Sequence, residues 1–191
     1  MKPAPRFLGG WSGVARIALA TMFITMPGIR TVSGADVAPD VAVKAAFLYN
    51  FAKFVDWPAL PAGAPIVVCV VGHDGIAAAL VETVRGQNIS GHRLDVRVLQ
   101  DSARWRACQL LFIADAETRR SPGGLDEIRT LPVLTVSDGK DFAVAGGIIE
   151  LYVEAGRMRF AINLDAADRS GLRLSSRLLG LAKVIRDSHV Q

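Results

Sequence analysis

Metal ligands and catalytic motifs are both scarce in this sequence. Its 191 residues include two cysteines and three histidines, none of them at ligand spacing, so we expect no metal ion and no cofactor. The patterns G-x-S-x-G, H-E-x-x-H, C-x-x-C and G-x-G-x-x-G do not occur. The glycine-containing turn at residues 72–75 lacks the lysine and the third glycine of a phosphate-binding loop. We therefore predict that the protein is not an enzyme.

Most of the chain also lacks an excess of basic charge. The net charge is +4, but Lys2, Arg6, Arg16 and Arg30 all precede the first acidic residue, Asp36. These four leave 18 of the 22 basic residues to balance the 18 acidic ones. Because proteins that bind polyanions keep a basic excess on one face, we predict no nucleic-acid partner.

The N-terminal apolar run is too short for a membrane-spanning helix, which needs about 20 residues. This run covers residues 17–29, contains Pro27 and follows three basic residues. Small residues come next, with Ser33 and Ala35 at the positions that a signal peptidase requires. We predict a cleaved signal peptide at residues 1–35 and an exported domain at residues 36–191. An uncleaved anchor is the alternative.

The first two thirds of the remaining sequence alternate between helix and strand patterns. Residues 39–57 carry apolar groups at helical spacing, and Pro58 is expected to end that helix. Asp74 is a candidate cap for a second helix. Strands are predicted at 66–71, 93–99, 110–114 and 131–136, with helices at 76–86 and 124–129. Such alternation favours a parallel sheet with helices on both faces.

The C-terminal third predicts a different pairing. Residues 148–153 and 157–164 both alternate between apolar and polar positions, and the short glycine-containing link between them indicates an antiparallel hairpin. A final helix is predicted at 177–187, capped by Ser175 or Ser176. The fold class is therefore α/β, a three-layer sandwich with a mostly parallel sheet and an antiparallel hairpin near the C-terminus.

The two cysteines fall on strands that we expect to be neighbours. Cys69 lies in the first predicted strand and Cys108 just before the third, and these strands are adjacent in a doubly wound sheet of order 2-1-3. In an oxidising compartment the two sulfurs could form a disulfide bond. The alternative is a pair of buried free thiols that act as small apolar groups.

Two segments are candidates for binding a protein partner. The first is unusually rich in aromatic residues, more than one buried helix face can use, and its candidates are Phe47, Tyr49, Asn50, Lys53, Phe54 and Trp57. Exposed aromatic patches often mark binding sites, although a neighbouring loop or helix could instead cover these rings. The second comprises Arg173, Ser175, Ser176 and Arg177, which form either a helix cap with solvated arginines or an anion contact beside that cap.

Several of these stretches together resemble the YfiR-like family. The segment VKAAFLYNFAKFVDWP at residues 43–58 is similar to the opening signature of that family. The later stretches CVVG at 69–72, CQLLFI at 108–113, LTVSD at 134–138, FAINL at 160–164 and GLRLSSRLL at 171–179 occur in the family's order. The resemblance covers about residues 40–185.

The resemblance implies a periplasmic α/β protein that is often dimeric. The family's named member represses an inner-membrane diguanylate cyclase and is sequestered by an outer-membrane lipoprotein, so that cyclic-di-GMP output changes. Other members accompany membrane sensors such as histidine kinases. Cys69 and Cys108 match one of that member's two cysteine pairs, and the second pair, expected near residues 143–152, does not occur here.

The resulting functional prediction is a periplasmic regulator that binds and inhibits the outer domain of an inner-membrane signalling protein. The alternative is a periplasmic small-molecule binding protein that feeds a membrane sensor. In that case the ligand would bind at the carboxyl ends of the strands, near residues 72–73 and 137–138.

Overall fold

The computed structural model describes residues 39–57, 60–121 and 123–187. The predicted signal peptide and its cleavage site lie outside these ranges. Within them, no helix is long and apolar enough to cross a membrane.

Ten strands and five α-helices make up the described chain. The strands are β1 (Val55–Asp56), β2 (Ile66–Val71), β3 (Asn88–Ile89), β4 (His92–Leu99), β5 (Leu110–Ile113), β6 (Leu134–Ser137), β7 (Ile149–Glu154), β8 (Arg157–Asn163), β9 (Arg173–Leu174) and β10 (Lys183–Ile185). The helices are α1 (Pro39–Lys53), α2 (Asp74–Val84), α3 (Asp115–Arg120), α4 (Leu164–Arg169) and α5 (Ser176–Leu179), with 3₁₀ turns at Ser102–Ala107 and Asp126–Ile128.

Eight of the strands form one sheet of order β10-β8-β7-β6-β5-β2-β4-β3. The pairs β8–β7 and β4–β3 are antiparallel, and the other pairs are parallel. The predicted order 2-1-3 is confirmed, because β2 lies between β4 and β5. The structure also confirms the mostly parallel α/β sheet with an antiparallel hairpin.

Apolar layers cover both faces of the sheet, which explains why β2 is a continuous apolar run. Val68 and Val70 belong to a core that includes residues of α1 and α2. Val67 and Cys69 point to the opposite face, where they pack in a second core with Trp105 of the first 3₁₀ turn. A strand buried on both faces has no place for a polar residue.

The first helix is shorter than the sequence predicts. Leu48 and Phe51 face the core as expected, but α1 ends at Lys53 and does not continue to Trp57. Instead Val55 and Asp56 form β1, which pairs with β9. Helical spacing continues through this region, and a strand partner from the far end of the chain overrides it.

The hairpin between β7 and β8 is confirmed, with Glu154 opposite Arg157. Ala155 and Gly156 connect the strands, and both have positive φ, 49° and 73°. Two consecutive positive φ values define the type I′ turn, whose twist matches that of the strands.

The predicted final helix is wrong beyond Leu179. Lys183–Ile185 is the edge strand β10, which runs parallel to β8. Gly180 follows α5 and favours a helix end, and the β-branched Val184 and Ile185 favour a strand. At the edge of β8 these residues also gain partners for their backbone N–H and C=O groups.

Two smaller predictions are also corrected. The cap of α2 is His73, not Asp74, since Nδ1 of His73 accepts a hydrogen bond from the Ile76 N–H at 3.3 Å. The short helix predicted at 124–129 is the 3₁₀ turn Asp126–Ile128.

Candidate functional site

The two candidate binding segments meet in space. β1 and β9 form a two-stranded antiparallel sheet in which Val55 pairs with Leu174 and Asp56 with Arg173. The Ser175 N–H donates to the Phe54 carbonyl at 2.9 Å and continues this pairing. The end of the aromatic segment therefore lies directly beside the arginine–serine segment.

The outer face of α1 is polar, and aromatic rings flank it. Asn50 and Lys53 are exposed. Phe47 lies to one side and is half-buried, with its ring centroid 5.8 Å from that of Phe51 and 5.8 Å from that of Phe160. This ring is thus anchored in an aromatic cluster and shows only part of its surface.

Tyr49 lies toward the other side of α1, next to the end of α2. Its hydroxyl donates to Oε1 of Gln87 at 3.2 Å. The Lys53 ammonium lies 5.3 Å from the centroid of the tyrosine ring, within the range of a cation–π contact. Tyr49 is half-buried, so its predicted exposure is only partial.

Phe54 and Trp57 lie past the end of the helix and are also half-buried. Trp57 turns back so that its indole Nε1–H donates to the Ala52 carbonyl at 3.2 Å. The four aromatic candidates therefore all pack partly against the core while retaining some accessible surface.

The arginine–serine segment forms the helix cap with exposed arginines that the sequence offered as one interpretation, and the anion contact stays a prediction. Ser175 caps α5, because its Oγ accepts from the Leu178 N–H at 3.3 Å. Arg173, Ser176 and Arg177 are exposed. Neither arginine forms an ion pair with another described residue, so both guanidinium groups are available to an anion.

The two cysteines form a disulfide bond on the other side of the sheet. Cys69 and Cys108 are bonded, with their Cα atoms 5.9 Å apart. Both are 1% exposed and belong to the second core, away from α1. The bond therefore links β2 to the segment preceding β5 and does not contact the α1 surface.

The carboxyl ends of the parallel strands hold a charged cluster. Lys44 of α1 lies between Asp40 and Asp138, with its Nζ 2.8 Å from a carboxylate oxygen of each. Burial favours the neutral amine, but the hydrogen bonds to Asp138 and Asp40 outweigh burial and raise the pKa of Lys44. Asp138 also accepts from the Asp115 N–H at 2.9 Å, so it joins α1, β6 and α3.

The crevice between the ends of β2 and β5 is filled by a side chain. Gly72 has φ of 79°, and a Cβ at this position would collide with Cγ of Glu117. Ligands of doubly wound sheets bind at such a crevice, where the strand order reverses. Gly72, His73, Ser137 and Asp138 therefore come to one edge as expected, but Glu117 and the Lys44–Asp138 pair occupy it.

Within the described ranges, no group of three or more histidine, cysteine or acidic side chains is arranged to hold a metal ion.

Comparison with known proteins gives two findings. Residues 41–183 match the family model described as YfiR/HmsC-like. A solved structure, a conserved domain protein from Vibrio cholerae O1 biovar El Tor, is similar with a TM-score of 0.47 and 13% sequence identity. That similarity covers 75% of this chain and 59% of the Vibrio chain.

Proposed function

The chain belongs to the YfiR/HmsC-like family, and from this premise we propose that it is a periplasmic regulatory protein that binds and inhibits the outer domain of an inner-membrane signalling protein such as a diguanylate cyclase. At the level of the family, the function is periplasmic regulation of diguanylate cyclase signalling, and the family is regulatory and non-catalytic. The buried Cys69–Cys108 disulfide agrees with an oxidising compartment outside the inner membrane.

The observation that carries the proposal is the β1–β9 pair. In this pair Asp56 lies opposite Arg173, and the hydrogen bond from the Ser175 N–H to the Phe54 carbonyl continues the contact between the two segments. Two segments that are remote in sequence thus form one surface, which we call the clasp surface: Phe47, Tyr49, Asn50, Lys53, Phe54, Trp57, Arg173, Ser175, Ser176 and Arg177. Partly exposed aromatic rings next to arginines are the composition of protein-binding hot spots.

The charge of the clasp surface favours an acidic partner. Lys53, Arg173 and Arg177 are exposed cations, and the exposed Asp56 lies opposite Arg173 in the β1–β9 register. Exposed charges of one sign accelerate association with an oppositely charged surface, and salt screens this effect. We therefore expect the contacted face of the sensor's outer domain to carry an excess of Asp and Glu.

The proposal is tested by crosslinking the tagged full chain in intact cells and identifying captured proteins by mass spectrometry. The test variant is Lys53→Glu with Arg177→Glu, two exposed changes that leave the core intact. The matched control is Lys140→Glu with Arg157→Glu, which makes the same change in charge at exposed positions outside the clasp surface. We expect capture of one inner-membrane sensor, strongly reduced in the test variant only.

Cellular cyclic-di-GMP then reports the direction of regulation. If the partner is a diguanylate cyclase that this protein inhibits, cyclic-di-GMP rises in the test variant and not in the control. A fall would mean activation. Failure to capture any inner-membrane sensor, or equal capture by all three proteins, would refute the role of the clasp surface.

Two further partners belong to the same proposal: a second copy of this chain and an outer-membrane lipoprotein. The same crosslinked samples test both, since a homodimer doubles the apparent mass and a lipoprotein is identified directly. The histidine kinases that accompany other family members are the alternative class of sensor that this experiment would reveal.

A further inference from the structure

One edge of the eight-stranded sheet has a stretch of unpaired backbone. Strand β4 pairs with β2 from Leu94 to Leu99, whereas on its other side β3 pairs only with His92 and Arg93. In the part of the chain that the structure describes, no further strand lies beside β4. The outer N–H and C=O groups of residues 94–99 therefore form an edge to which another strand can add.

An open groove follows this edge on the side of α2. Its volume is about 580 Å³, and Val81, Leu94 and Val96 contribute apolar side chains to its wall. Val81 is 44% exposed, and Val98, the next residue on the same face of β4, is 45% exposed. A strand that adds to this edge would therefore gain apolar contacts as well as backbone hydrogen bonds.

The side chains of β4 are complementary to those of a second copy of the same strand. In an antiparallel pair centred on Val96, Asp95 of each copy lies opposite Arg97 of the other. On the other face of the sheet, Leu94 of each copy lies opposite Val98 of the other. Opposite charges thus meet on one face and apolar side chains meet on the other.

Neighbouring registers are unfavourable. Centring the pair on Asp95 or on Arg97 places that residue opposite its own copy, and like charges in that position destabilise a strand pair. A shift by a single residue sets charged side chains against apolar ones. The position of β3 agrees with the register centred on Val96, because β3 covers the edge as far as Arg93 and leaves it free from Leu94 onward.

We propose that two copies of this chain associate by antiparallel pairing of their β4 strands, centred on Val96, so that the two sheets become one. Within one chain Arg97 already contacts Asp95 at 2.6 Å, but the two side chains are 50% and 43% exposed and remain accessible to a second copy. These charges set the register, while backbone and apolar contacts provide the affinity. No residue of the clasp surface lines the groove, so this interface would remain if the clasp surface bound no sensor.

The first test is sedimentation equilibrium of the protein purified from cells that express the full chain. Asp95→Arg and Arg97→Asp each place like charges opposite each other, so either change should raise the dissociation constant of the dimer about tenfold or more. An equal mixture of these two variants restores opposite charges at both positions and should associate about as tightly as the parent. Glu154→Arg and Arg157→Asp, which alter an exposed facing pair in the β7–β8 hairpin, are the matched controls and should not change association.

The second test places a cysteine at the centre of the pair. Residues directly opposite in an antiparallel pair have Cα atoms about 4.5–5.5 Å apart, which suits a disulfide bond. Val96→Cys should therefore form a covalent dimer when a chemical oxidant is added, because Cys69 and Cys108 are already bonded to each other. Val98→Cys should form little, since the two copies of that residue are about 13 Å apart in this register.

Three results would each overturn the proposal. They are single charge variants that associate as tightly as the parent, mixed variants that do not associate, and equal crosslinking of Val96→Cys and Val98→Cys. A parent chain that stays monomeric would also overturn it and would favour an extended segment of another protein as the occupant of this edge.

Discussion

The indole N–H of Trp57 donates to the carbonyl of Ala52 at 3.2 Å. Since α1 ends at Lys53, this carbonyl belongs to the last turn, in which carbonyl groups have no partner within the helix. Trp57 thus lies beyond the helix and supplies the hydrogen bond that a carbonyl of the last turn lacks. This contact also holds the turn that leads into β1. Trp57 was predicted to be part of the helix, but it lies past the helix and stabilises its C-terminal end.

This relationship predicts graded effects of substitution at Trp57. Trp57→Phe keeps an aromatic ring but loses the donor, so we expect it to lower the free energy of unfolding by about 1 kcal/mol. Trp57→Ala also loses the half-buried ring and should cost about 2–3 kcal/mol in total. Urea denaturation measures both values. The exposed Val153→Ala is the control, and a Phe variant as stable as the parent would show that the hydrogen bond has no net value.

The disulfide bond should contribute strongly to stability. Cys69 and Cys108 are separated by 39 residues, and the chain-entropy relation gives about 4 kcal/mol for closing a loop of that size. We expect a reductant to lower the urea midpoint of the parent chain. The double variant Cys69→Ala with Cys108→Ala should start at the lower midpoint and be insensitive to the reductant. If the urea midpoint of the parent chain is the same before and after full reduction of the disulfide, this expectation is contradicted.

The Lys44 cluster predicts a loss of stability at alkaline pH. The pKa of Lys44 is raised in the folded protein, so its ion pairs stabilise the fold below the pKa of the unfolded chain, about 10.4. This contribution is lost as the pH rises through the folded pKa. Lys44→Met should therefore be less stable than the parent at pH 8, with the difference shrinking above about pH 10.5. Lys140→Met, at an exposed position, is the control, and a difference independent of pH would exclude the ionic contribution.

The buried amide of Asn163 should contribute strongly to the free energy of unfolding. Its Nδ2 donates to the Ala143 carbonyl at 2.8 Å and to Oδ1 of Asp187 at 2.7 Å, while its Oδ1 accepts from the Ala166 N–H at 2.9 Å. Asn163 is fully buried, so Asn163→Ala leaves the buried Ala143 carbonyl and Ala166 N–H without this side chain and should cost about 3 kcal/mol. Thermal and urea unfolding measure the loss. The exposed Asn50→Ala should change stability by less than about 0.5 kcal/mol, and a similar value for Asn163→Ala would contradict the role of the amide.

The central sheet was predictable because its strands are unambiguous in sequence. The run at Ile66–Val71 is apolar throughout and β-branched at every position except Cys69, which is typical of a strand covered on both faces. The predicted neighbours of this strand, and hence the proximity of Cys69 and Cys108, followed from the general order of doubly wound sheets. The hairpin was also predictable, because the alternation of apolar and polar residues in both strands and the glycine-containing link between them indicate the same structure.

The errors lie where a remote segment decides the local structure. Residues 54–57 continue the helical pattern of α1, and nothing near them in sequence indicates that β9 will pair with them. Residues 183–185 likewise fit a helix until the edge of β8 becomes available. The short helices α3 and α4 were not predicted, since six residues are too few to show a helical period.

The candidate site was only half predictable. Both segments of the clasp surface were recognised by composition, but their contact through Phe54 and Ser175 was not. Trp105 was not singled out, because a tryptophan between two arginines gives no sequence signal for a buried ring.

The hydrogen bond from Ser175 to Phe54 also makes the clasp surface depend on a complete chain. The two halves of the surface come from opposite ends of the described chain, so both are present only in a chain that extends through Arg177. A nascent, truncated or proteolysed chain would carry the aromatic segment without the arginines. A sensor that recognises both halves would therefore be silenced only by intact molecules.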